Sequence, residues 1–61
     1  MDVEACWREM AEAYKEGDTE RLQELSEGML QWLAKDGYPP RICGDREWDK
    51  MIAFSVAERF C

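Results

Sequence analysis

Any chemistry in this chain of 61 residues would have to come from three cysteines, two serines and 14 carboxylates, because the sequence contains no histidine. Without an imidazole there is neither a Cys–His nor a Ser–His arrangement, and Ser26 and Ser55 stand within helical patterns with no base beside them. Cys6, Cys43 and Cys61 lack the paired two-residue spacing of structural zinc sites. Cys6 shares an apolar stripe with Trp7 and Met10, where a thiol acts as a small hydrophobe, and Cys43 reads as a loop packing residue. Glu20, Glu24 and Glu27 form a ridge at helical spacing. General acid–base work would need those carboxylates to be buried or specifically partnered, so a solvated acidic face is the simpler reading. No loop of alternating acids around a glycine offers a calcium site, and Gly17, Gly28, Gly37 and Gly44 are too isolated to cradle a phosphate. The expectation is therefore a protein that is not an enzyme, with no catalytic, cofactor-binding or metal-binding residues.

Charge and length narrow the remaining classes. A net charge of −6 opposes association with nucleic acid or anionic lipid, and the eight basic residues are scattered among carboxylates. The apolar runs are only a few residues long, far from the roughly 20 needed to span a membrane. Three cysteines make an odd count with no dense framework, and the acidic Asp2 and Glu4 stand where a signal peptide would be basic. These features predict a cytoplasmic protein with reduced thiols, no nucleic-acid partner and no membrane association.

The elements that must position the side chains announce themselves by three Asp-x-Glu triplets, Asp2-Val3-Glu4, Asp18-Thr19-Glu20 and Asp45-Arg46-Glu47. An Asp at the N-cap accepts from backbone N–H groups that have no intrahelical partner, and a Glu two residues later complements the helix dipole. Helices are thus expected over about 2–16, 18–36 and 45–60. In the first, Val3, Cys6, Trp7, Met10, Ala13 and Tyr14 share one face. In the second, Leu22, Leu25, Met29, Leu30, Trp32 and Leu33 do the same, with Gly28 on the polar side as either a tolerated weakness or a point of close contact. Gly17 ends the first helix and Asp36-Gly37 the second, and the short Gly17-Asp18 link makes the first two an antiparallel hairpin.

Tyr38-Pro39-Pro40 cannot continue a helix, so 38–44 is expected to be a semi-rigid crossover whose Tyr38 and Ile42 pack back on the hairpin. An aromatic–proline segment of this kind is also what a partner's aromatic groove could read, although a sharp helix exit needs the same residues. In the third helix Trp48, Ile52, Val56 and Phe60 step by four while Met51, Phe54 and Ala57 point elsewhere, so its apolar groups face more than one way.

The stretch Trp7-x-x-Met10-Ala11-x-x-Tyr14, continuing through Gly17-Asp18 to Leu22, Ser26 and Met29-Leu30, resembles one tetratricopeptide repeat. The likeness covers about half the chain and occurs once, where about three repeats make a stable stack. The turn is one residue short, Leu22 and Ser26 reverse the usual small and large positions, and the helix overruns the expected proline. It therefore reads as convergent hairpin packing. The role such repeats would imply is binding of a peptide or protein.

The sequence thus predicts an all-α, three-helix domain over 1–61: an antiparallel helical hairpin, a Pro-Pro crossover and a third helix laid across the hairpin. Its core is expected to draw on Val3, Trp7, Met10, Tyr14, Leu22, Leu25, Met29, Leu33, Trp48 and Ile52. A domain this small buries only about 60% of its unfolded surface, and the surplus apolar residues of the third helix suggest cover by another molecule. The expected function is noncatalytic, through homo-oligomerisation or another protein partner, with Trp32, Met51, Phe54 and Phe60 lining the interface. The alternative is a small acidic regulator, inhibitor or antitoxin-like, covering a basic site on a larger protein.

Overall fold

A computed structural model describes residues 2–61; Met1, the first residue of the expected domain, lies outside the described residues. The chain forms α1 (Val3–Glu16), α2 (Thr19–Ala34) and α3 (Arg46–Phe60), with no strand among the described residues. It is an all-α three-helix domain. All three aspartates act as N-caps: Asp2 Oδ1 accepts from Ala5 N–H at 3.2 Å, Asp18 Oδ1 from Arg21 N–H at 3.1 Å, and Asp45 Oδ1 from Glu47 N–H at 3.0 Å. Each cap satisfies a donor that the first helical turn leaves orphaned.

Gly17 closes α1 in the left-handed conformation, φ 72°, which lets Asp18 N–H reach back to Ala13 O at 2.9 Å and begin α2 at once. The exit from α2 uses different chemistry. There the left-handed residue is Asp36, φ 63°, while Gly37 is needed for space, since a Cβ at that position would run into the Trp32 indole. Trp32 is thereby held against the start of the crossover, its Nε1–H donating to Tyr38 O at 2.9 Å and its ring meeting Tyr38 edge-on at 5.7 Å.

The central helix is α2, on which both α1 and α3 pack. Lys50 near the start of α3 lies 3.7 Å from Asp36, just beyond the end of α2, and Phe60 at the other end of α3 meets Tyr14 of α1 with tilted rings at 5.6 Å, beside the start of α2. Hence α3 runs antiparallel to α2. It packs chiefly on α2, and the small residues Ala53 and Ala57 are among those it buries. The core comprises Val3, Cys6, Met10 and Ala13 of α1, Leu22, Met29 and Leu33 of α2, and these two alanines.

Two expected core residues are not buried. Tyr14 and Trp48 are each 59% exposed, because the inner face of α3 is the line Asp49, Ala53, Ala57, which turns Trp48 outward and leaves the α1–α3 side of the domain partly open over Tyr14. Trp7 and Leu25 are half-buried and pack against the core, and Ile52 is half-buried. The crossover is anchored by buried Pro40; Tyr38, expected to pack back on the hairpin, meets Trp32 of α2 edge-on while more than half exposed, and Ile42 is exposed.

Gly28 proves to be a tolerated weakness, since a Cβ there meets nothing within 4 Å and its φ is ordinary. Gly28→Ala should therefore stabilise the fold by about 1 kcal/mol through helix propensity, read as a higher urea midpoint with an unchanged m-value.

Candidate interaction surface

Successive residues of a helix are about 100° apart, so burial of Ala53 and Ala57 against α2 fixes what α3 turns outward. Met51 points almost directly away from Ala53 and is 60% exposed; Phe54 lies on the neighbouring row at 38%. Trp48 flanks Met51 on its other side. Glu47, Lys50, Ser55 and Glu58 are exposed around these three, so the surface is an apolar stripe with a charged border, and a shallow depression lies between Glu47, Lys50, Met51 and Phe54. The remaining residues expected at an interface sit elsewhere. Trp32 is half-buried and committed to Gly37 and Tyr38, and Phe60 is half-buried beside Tyr14.

Phe60 and Tyr14 border a second apolar feature, a cleft of about 230 Å³ reaching Trp7, Met10, Leu22 and Val56 where the three helices meet. Ligand pockets generally run from about 300 to 1,000 Å³ and carry a few convergent polar groups. This cleft falls short on both counts and is a packing seam between α1 and α3.

The polar centre of the fold is Asp49, an inward-facing carboxylate only 4% exposed. Its Oδ1 accepts from Cys43 N–H at 2.7 Å and lies 3.1 Å from Cys43 Sγ. The Cys43 N–H bond is the principal reason the carboxyl is held below the ordinary carboxylate range, against the opposing effect of desolvation. For the Cys43 thiol, the backbone hydrogen bond at Asp45 is the largest influence and favours the thiolate. The bond to Asp49, desolvation and the two nearby carboxylates together outweigh it and push the thiol up, away from nucleophilic reactivity. Cys6 is likewise pushed up, by burial and then by Glu9, and its Sγ lies 3.7 Å from Leu25 O. These groups hold the crossover and the core.

Asp49 was not singled out by the sequence pattern. The signal was available in the four-residue step Asp49, Ala53, Ala57, one position out of register with the Trp48, Ile52, Val56 row. Because its folded pKa is depressed, the stability it contributes is present above its unfolded pKa of about 3.9 and is lost as pH falls through the folded value. Asp49→Asn should lower the melting temperature at pH 7, and the gap from the parent chain should close as the pH is taken below about 4. Parallel melting curves for the two proteins between neutral and acid pH check this.

Among the described residues no three His, Cys, Asp or Glu side chains converge in a metal-holding group, and no helix is long and apolar enough to cross a membrane. Comparison of the chain with protein-family models, with curated proteins and with solved structures finds no match.

Proposed function

We propose that this domain acts without catalysis, as an interaction module that self-associates through the outward face of α3. The observation that carries this reading is the exposure of Met51 on the side of α3 opposite α2, with Phe54 and Trp48 exposed on either side of it. Large apolar side chains grouped on a small soluble domain mark a surface that another molecule covers. A second copy also supplies what a short chain lacks, more buried apolar area per residue. The compartment that suits three free thiols is a reducing cytoplasm.

Sedimentation velocity over a micromolar concentration series in reducing buffer tests the proposal. The reductant matters because Cys61 is exposed and would cross-link copies in air. A species of twice the 7.2 kDa chain mass, growing with concentration, is expected. A heat-stable monomer throughout the series would overturn it.

A second reading has its own observation: Glu20, Glu24 and Glu27 are all exposed along α2, on a chain of net charge −6. That surface suits a basic site on a larger protein, as an acidic inhibitor or antitoxin-like regulator would need. Capture of a basic protein that weakens steeply with salt would favour this reading over self-association.

A further inference from the structure

The exposed side of α3 carries a charge order, Lys50 before Phe54 and Glu58 after it, that complements itself when the helix is reversed. Lys50, Phe54 and Glu58 follow one another at four-residue intervals, about 6 Å apart along the helix, so the apolar ring sits midway between a cation and an anion. All three are exposed. The existing contact of Lys50, to Asp36 at 3.7 Å, is with a carboxylate that is itself 95% exposed, and a pair so well solvated holds the ammonium only weakly.

We propose that α3 pairs with α3 of a second copy, antiparallel about a twofold axis at Phe54, so that Lys50 of each chain meets Glu58 of the other. This rests on the self-association reading and adds its geometry. A twofold axis perpendicular to the paired helices reverses their direction, and because four residues advance about 400°, Lys50 and Glu58 lie only about 40° to either side of Phe54, within reach of one another across the seam. A residue four places before Phe54 therefore comes level with the residue four places after it in the other chain. Both Lys50–Glu58 pairs form together, and the Phe54 rings meet at the axis with Met51 alongside. A parallel pair would bring Lys50 level with Lys50 and Glu58 level with Glu58, and like charges so placed disfavour that alternative. The same order explains how two chains of charge −6 can approach at this face: the cation needed opposite each Glu58 is carried by the chain itself.

Sedimentation equilibrium on the full chain in reducing buffer at low salt, with Lys50→Glu, Glu58→Lys and the double exchange, tests the pairing. Each single exchange replaces two attractive pairs with two repulsive ones and should weaken the dimer roughly ten- to thirtyfold. The double exchange should restore dimerisation to within about threefold of the parent chain. Both positions are exposed, and thermal melts of each variant are the check that the monomer still folds. If the parent chain dimerises while the single exchanges change nothing, or the double exchange fails to recover the loss, the antiparallel arrangement is wrong and self-association stands on other contacts. If the parent chain does not dimerise, the underlying reading fails and this inference falls with it.

Discussion

Met29→Ala is expected to cost about 2–5 kcal/mol and to leave the domain largely unfolded at 37 °C. Met29 is fully buried in α2, the helix on which both α1 and α3 pack, and is among the largest of the fully buried side chains. Truncation removes its transfer free energy and leaves a cavity that neither neighbour can fill without losing contact with the rest of α2. At roughly 0.05–0.15 kcal/mol per residue, a chain of this length has only about 3–9 kcal/mol to lose. Urea denaturation followed by far-UV circular dichroism reads the loss as a collapsed midpoint. A cost below about 1 kcal/mol would mean that the centre of the core lies elsewhere.

The second large effect is expected from adding atoms. Ala53 has no exposed surface on α3, the helix that packs on α2, and belongs to the core cluster. Ala53→Leu must push the helices apart or force side chains off their rotamers, and should cost about 1–3 kcal/mol although Leu is the more hydrophobic residue and nearly as good a helix former. The companion variant is Trp48→Ala. Trp48 looks like a core residue in sequence and is 59% exposed in the fold, so its truncation should cost less than about 1 kcal/mol. Equilibrium unfolding of the pair compares the two registers for α3. If the tryptophan variant loses more than the alanine variant, α3 faces α2 with its Trp48, Ile52, Val56 row.

Much of the fold is legible in the sequence because its signals are local. An aspartate with two or three open N–H groups ahead of it caps a helix whatever surrounds it, and Asp2, Asp18 and Asp45 all do so. The one-sided spacing of Val3, Cys6, Met10 and Ala13, and of Leu22, Met29 and Leu33, identifies the buried faces of α1 and α2 for the same reason, since a long amphipathic helix has only one apolar side to bury. The resemblance of the first half to a single helical repeat likewise reflects what an antiparallel hairpin requires, an apolar stripe on each helix facing the other across a short turn.

The third helix shows where local reading stops. Size ranks Trp48 and Ile52 ahead of Ala53 and Ala57 as core residues, yet closeness of approach decides the contact, and only small residues allow two helix backbones to come near. Whether a helix buries its large residues at a distance or its small ones at close range depends on the surface it meets. Asp49 follows the same logic: a carboxylate one turn before Ala53 looks like part of a solvated face until the crossover delivers the Cys43 N–H to it.

By itself, then, the sequence determined the helices, their capped starts, the hairpin of α1 and α2 and the absence of His-dependent chemistry, all of them consequences of residues acting on near neighbours or of composition alone. The tertiary structure alone decided which face of α3 turns inward. That choice buries Asp49 under the crossover, leaves Tyr14 and Trp48 in solvent, and places Lys50, Met51, Phe54 and Glu58 together on the outside. The reason is that α3 carries apolar residues around much of its circumference, so its own sequence leaves the orientation nearly undecided, and the fit of two alanines against α2 settles it.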